Sequence, residues 1–483
     1  MSSAPAPAAA PPVARGAWLA LAVVLGAAFM SLLDTTIVNV ALPTIRTSLD
    51  ASESTLSWII SGYALAFGLA LIPAGRLGDR YGHKWVFITG LALFTAASLA
   101  CGLAQNDLQL IIARVVQGLG GGIFFPAVSA FIQLLFPPMA RGKAFAILGA
   151  VIGVSSALGP LVGGLIIQAL GDETGWRWIF AVNLPIGVIV LVAAIALLPS
   201  EAAGKATSND LIGLVLLSGA LVALLVPLIQ GQEEGWPLWT YLSIGGGVLL
   251  VVLFALWERS VASRGKDPLV PPRLFAHAQF AAGTILALVF FAAFTSIFFT
   301  ISLLWQAGLG HTALESGLVS VPFAIGNIIG ASQSDRLAAR LGRAVLAIGV
   351  ALLTIGLTAL FLILLLVPTA DLTNWTLLGP LLVAGLGSGL FIAPNVRFIV
   401  ATVDRSEAGA ASGVIGTMQR VGAAAGIAVI GSVFFGNIGP IAGPADLPAA
   451  FGQAATPALA VSAALALVAF LLVFTLPKRV QLH

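Results

Sequence analysis

The chain has 483 residues, of which 59% are hydrophobic and only 8% charged, with a formal net charge of +3. Soluble domains carry about 25% charged residues, so this composition, with a mean hydropathy of +1.06, excludes a soluble domain and leaves a polytopic membrane protein. The basic residues sit in loops flanking apolar runs, so the pI near 9.3 does not imply nucleic acid, and the single cysteine, Cys101, excludes an intramolecular disulfide and a cysteine-rich metal site.

Residues 1–16 are rich in Ala and Pro and read as a disordered tail. The apolar run that follows continues from Ala17 through Asp34 to Pro43. It is too long for the apolar region of a signal peptide and predicts an uncleaved first span. A helix starting at Ala17 rises ~1.5 Å per residue and carries Asp34 about 25 Å along it, past the middle of a ~30 Å hydrocarbon core. An ionisable group at that depth costs at least ~2.5–3.5 kcal/mol. Such a position points to the handling of protons, ions or a charged substrate; the alternative is a structural hydrogen bond to a neighbouring helix.

Fourteen apolar segments follow one another, near 17–45, 54–74, 85–104, 108–135, 142–170, 177–199, 209–230, 238–258, 278–306, 312–333, 343–368, 374–402, 407–437 and 455–477. Backbone polar groups in lipid have no water to bond, so these segments are expected to be helices. Placing the N-terminus in the cytoplasm puts 17 of the 22 Lys and Arg in inside segments and two, Arg46 and Arg177, outside. Arg114, Arg397 and Arg420 lie within spans. This asymmetry predicts an even number of spans and two cytoplasmic termini.

Spans two and three are joined by Gly75-Arg76-Leu77-Gly78-Asp79-Arg80-Tyr81-Gly82-His83-Lys84. Positive-inside charge explains the Arg and Lys but not the glycines, which allow close helix approach, or Asp79, which suits a latch with Arg141 at the start of span five. In span four, Arg114, Gln117 and Gly118 share one face. Arg114 is about 9 Å from the outer end of its span and Asp34 roughly 16 Å from the outer end of span one, compatible with a pair made directly or through water. An Arg there favours the charged acid until substrate or water rearranges the pair; a static structural pair is the alternative. In span five, Ser155, Gly159 and Gly163 form a ridge of small residues, Gly164 adjoins it, and Pro160 bends the helix. Asn39, Gln117, Gln306, Asn327, Asn395 and Arg420 are candidates to line a substrate path, with Trp58 and Tyr63 as stacking faces for a lipophilic ligand. Each of these residue types also occurs as packing or as an interfacial anchor.

The chain repeats itself. Gly118 and Gly385, Gly142 and Gly409, and Gly159 and Gly426 share an offset of 267 residues, and the loop 75–82 matches 335–342 at an offset of 260, with Ala339 where the first copy has Asp79. Two six-span halves, 17–200 and 277–477, with a segment 201–276 inserting two further spans, account for this, with residues 478–483 as a second tail. Parallel halves place a substrate site at their interface near the midplane.

These residues resemble the major facilitator superfamily, specifically its fourteen-span drug:proton antiporter branch. Leu33-Asp34-Thr35-Thr36-Ile37-Val38-Asn39-Val40-Ala41-Leu42-Pro43 is similar to that branch's first-span signature, residues 75–84 to the superfamily loop motif, and Arg114 to Gly120 to its fourth-span motif. Gly159-Pro160-Leu161-Val162-Gly163-Gly164 is similar to the antiporter motif, with Ser155 where Gly is usual, and Trp176 to Gly187 also resembles the branch. The resemblance implies an all-α major facilitator fold of 14 transmembrane helices, proton coupling through Arg114, and export of lipophilic or cationic compounds from a cell membrane. It implies no enzymatic activity and no cofactor beyond the proton gradient. Its partners are a small-molecule substrate, protons and the lipid bilayer, with no nucleic acid, and a monomer is expected. A dedicated exporter of a metabolite, amino acid, lipid or siderophore fits the same residues.

Overall fold

The computed structural model describes residues 15–476, apart from 52, 172, 201–209, 232–233, 402, 405–406 and 442. The expected tail at 478–483 and all but the end of that at 1–16 lie outside the described residues. Among the described residues the regular structure is helical throughout. A first group comprises α1 (Arg15–Leu49), α2 (Glu53–Tyr81), α3 (His83–Leu103), α4 (Asp107–Leu135), α5 (Pro138–Leu170), α6 (Gly175–Ala181) and α7 (Asn183–Leu197). Then come α8 (Leu211–Gln230), α9 (Leu238–Ser263) and the short α10 (Pro272–Ala276). The last group is α11 (Ala278–Leu303), α12 (Ala313–Val319), α13 (Val321–Leu341), α14 (Ala344–Leu366), α15 (Asn374–Val400), α16 (Ala408–Gly436) and α17 (Leu447–Val473).

By length and composition, 13 helical stretches among the described residues are fit to cross a membrane, and α5, bent by 41° between Ser155 and Leu158, makes the fourteenth. Two of these stretches are broken helices, α6 with α7 and α12 with α13, and α11 runs on into a π turn at Leu304–Gly308. The last span begins earlier than its hydropathy suggests, at Leu447, because Pro448 fits the first turn of a helix. The loops of the two sequence repeats end alike: Gly82 has φ 92 and Gly342 φ 55, a left-handed conformation suited to glycine, and each lets the next helix start within two residues.

In lipid, helices associate through close packing rather than water exclusion. Glycines on α4 and α15 provide it. A Cβ on Gly118 would strike the Tyr63 backbone and one on Gly122 the Phe67 backbone; the same contacts recur as Gly385 on Phe323 and Gly389 on Asn327. These pairs are related by the offsets read from the sequence, 267 for the glycines and 260 for their partners. The two groups of helices meet where α2 packs on α16 and where α5 packs on α12, α13 and α15. The inserted α8 and α9 pack on each other, and α8 also touches α2 and α16.

Candidate functional site

Asp34 is fully buried on α1, and protein donors surround its carboxylate. Arg114 of α4 donates to Oδ2 at 2.6 Å; Gln117, also of α4, donates to Oδ1 at 2.9 Å, and Asn183 of α7 to the same oxygen at 2.8 Å. Ser98 of α3 accepts from both amides, at 2.6 Å from Gln117 and 3.1 Å from Asn183. The Arg114 guanidinium also donates to the Ile59 carbonyl of α2 (3.1 Å) and to Gln117 Oε1 (2.7 Å), and its Cζ lies 4.1 Å from the centroid of the Tyr63 ring. Tyr63 in turn is hydrogen-bonded to Ser31 on α1. One carboxylate thus ties α1 to α4 and α7, and through Arg114 to α2. The pairing of Asp34 with Arg114 expected from their depths is direct. Ser98 and Asn183 belong to the same network; Asn183 is a lone amide in an apolar run, a signal present in the sequence but without an address.

Asp79 bridges α2 to α16, and its partner is not the expected Arg141. Its two oxygens accept from the backbone N–H groups of Gly409 (2.9 Å) and Ala410 (3.0 Å) at the start of α16, and His83 lies 3.4 Å away. Unpaired N–H groups and the helix dipole make a helix start a natural carboxylate site. Arg141 instead donates to the Phe136 and Gln133 carbonyls at the end of α4. Gly75 abuts the Gly409 backbone, and Gly78 packs on the His83 ring. Arg76 and Arg80 flank this seam on the last turns of α2, and Gly82 ends the helix. The related seam across the molecule brings Gly142 of α5 against Asp335 of α13, whose carboxylate takes Arg397 of α15 at 2.8 Å. Asp335 aligns with Gly75 rather than with Asp79, so the repeat alignment hid this second acid.

The small residues of α5 face two ways. Gly159 meets Thr36, and a Cβ on Gly163 would come 2.9 Å from Ile37, both on the helix that carries Asp34; a Cβ on Gly164 would come 3.1 Å from Leu314 in α12. Ser155 is buried and donates to the Val151 carbonyl, and Pro160 lies just beyond the bend. This helix therefore joins the Asp34 helix to the other group of spans.

The remaining candidates do not form one cluster. Asn39 is exposed. Trp58 stands beside Ser61, Leu65, Val226 and Gln230. Gln306 donates to Ser302. Asn327 is buried between α5 and α15; its amide is satisfied with nitrogen on the Gly149 carbonyl (3.3 Å) and oxygen on Ser388 and Gly389. Asn395 donates to the Gly283 carbonyl, and its oxygen is buried without a partner among the described residues. Arg420 of α16 is part-buried, with Cζ 4.1 Å from the centroid of the Phe67 ring on α2.

A family model described as Major Facilitator Superfamily matches residues 24–427. A probable actinorhodin transporter of Streptomyces coelicolor is 40% identical over 439 residues, covering 89% of this chain and 74% of the relative. A tetracenomycin C resistance and export protein of Streptomyces glaucescens is 32% identical, covering 88% of this chain and 77% of the relative. Among solved structures, the major facilitator proton:xylose symporter XylE superposes with a TM-score of 0.65 at 15% identity, covering 94% of each chain, a likeness of fold alone.

Proposed function

The chain belongs to the major facilitator superfamily and is an integral membrane transporter, not an enzyme; on that premise we propose that it exports a lipophilic compound in exchange for external protons. The observation that carries this reading is the Asp34 network: a fully buried acid, bonded to Arg114, Gln117 and Asn183. Hydrogen bonds to a charged carboxylate are roughly twice as strong as neutral ones. A proton arriving on Asp34 removes the charge that three donors share, loosens α1 from α4 and α7, and frees Arg114 to move against Tyr63. Through Gly159 and Gly163 the change in α1 reaches α5, and through α5 the other half. The Asp79 latch at the start of α16 holds the Arg/Lys-rich end closed in this conformation, and it must open for cargo to enter from the cytoplasm. In this reading both termini are cytoplasmic and the membrane is the cell membrane.

Both relatives carry the name of a single compound that they transport or export. That favours, as a second reading, a dedicated exporter of one natural product over a multidrug pump. Cationic cargo has less support, because both Asp34 oxygens are taken by protein donors. The test is a substrate panel in proteoliposomes with an imposed pH gradient. Uphill movement of a lipophilic compound that stops when the gradient is collapsed is expected; movement that ignores the gradient would overturn proton coupling.

A further inference from the structure

Three arginines lie inside spans. Arg114 pairs with Asp34, and Arg397 with Asp335. For the third, Arg420, no carboxylate partner exists among the described residues. It lies 12 residues into α16, ~18 Å along that helix and near its middle. A cation held at mid-membrane without a counter-charge is costly, and such a group is usually functional.

Its surroundings are aromatic and polar and lie between the two groups of spans. Arg420 points across the boundary between the two groups of spans, from α16 onto Phe67 of α2. Thr417, one turn earlier on the same face, is buried, and its hydroxyl has no partner among the described residues. Gly413 and Gly416 of that face lie against Leu71 of α2, so the face is directed at the other half rather than at lipid. Phe67 is also edge-on to Phe125 and tilted against Tyr63, with ring centroids 5.9 Å apart. Tyr63 carries Arg114 on its ring. The Tyr63–Phe67 pair therefore stands between two guanidinium groups, one paired with Asp34 and one without a carboxylate partner among the described residues.

We propose that Arg420 is the anion-recognition residue of the transport site, so that the cargo is an aromatic compound bearing a carboxylate or phenolate. The guanidinium fork takes the oxyanion, the Thr417 hydroxyl donates a further bond, and the Phe67 face receives the ring system. This deepens the reading of the protein as an exporter and rests on it. The aromatic pair also gives a physical contact between cargo and the proton site: an anion that draws Arg420 off Phe67 changes the packing on which Tyr63 and Arg114 rest.

The test is direct binding to the purified full-length transporter without a pH gradient. Three fluorescent probes of one shape serve: anthracene-9-carboxylate, its methyl ester, and the anthracen-9-ylmethyl trimethylammonium cation. The wild type is expected to bind the carboxylate at least about tenfold tighter than the ester, and the cation weakest. Arg420→Gln should bring carboxylate and ester within about twofold of each other, the carboxylate losing most, and Arg420→Lys should keep part of the preference. Equal binding of the three probes by the wild type, or tightest binding of the cation, overturns the assignment. So does an unaltered preference in Arg420→Gln; should that variant not fold, the same criterion applies to Arg420→Lys. Because no gradient is applied, these results leave proton-driven export to be judged separately.

Discussion

The central structural fact at the residue scale is that Asp34 and Arg114 neutralise one another only with help. A buried pair stripped of one partner is destabilised by about 3–5 kcal/mol, because the survivor is left charged and dry. Here the remaining lone pairs go to Gln117 and Asn183. Asn183→Ala removes one charge-assisted bond and should cost about 1.5–3 kcal/mol of stability, read as a fall in the detergent melting temperature; an unchanged melt would show that the amide is a bystander. Arg114→Lys keeps the charge and loses the shape. An ammonium is a point charge and cannot serve the acid, the Gln117 oxygen, the Ile59 carbonyl and the Tyr63 face together. Gradient-driven transport should fall at least about tenfold, or ~1.4 kcal/mol in barrier. Transport at the wild-type rate would reduce Arg114 to a counter-charge.

At the scale of elements, the two seams at the Arg/Lys-rich end are related by the repeat but closed by different chemistry. One uses a carboxylate on a helix start, Asp79 on Gly409 and Ala410; the other uses an ion pair, Asp335 with Arg397, against Gly142. Asp79→Asn keeps one acceptor and loses the charge, so the latch weakens while the transport site is untouched. Turnover should change by about three- to tenfold, corresponding to the ~0.3–1 kcal/mol of an anion at a helix start plus part of a bond. Direct substrate binding should shift less than about twofold; a large affinity loss with normal turnover would place Asp79 in binding instead. Gly75→Val tests the same seam sterically. Any Cβ at Gly75 meets the Gly409 backbone, so α2 and α16 must part. A spin-label pair across the seam should report a longer distance, and because Cys101 is the only native cysteine and is buried, added labels are read cleanly. An unchanged distance would mean that the helices slide rather than separate.

On the scale of the whole molecule, the sequence revealed what depth and periodicity encode. It located fourteen spans, the repeat offsets, the mid-membrane acid and its match in depth with Arg114, because hydropathy and helical rise fix position along the membrane normal. It did not reveal which helices are neighbours around that normal. Asn183 and Ser98 therefore have no partner legible in the sequence, and among the described residues Asn39, Gln306 and Asn395 are not brought into the Asp34 network. The Asp79 partner is hidden for a further reason: backbone N–H groups at a helix start carry no side-chain signature, so the sequence shows only side-chain cations such as Arg141 as candidates. Arg420 is legible as an arginine within a span, and the structure adds the aromatic face and the direction in which it points.

In the proposed cycle the proton acts through Asp34. The most direct test reconstitutes the wild type and Asp34→Asn with a pH-sensitive dye inside the vesicles. Substrate added outside should evoke proton movement in the wild type in proportion to substrate transported. In Asp34→Asn, substrate-evoked proton movement and uphill transport should both vanish while downhill exchange of substrate continues. Substrate-evoked proton movement at the wild-type ratio in Asp34→Asn would exclude Asp34 as the proton-coupling acid.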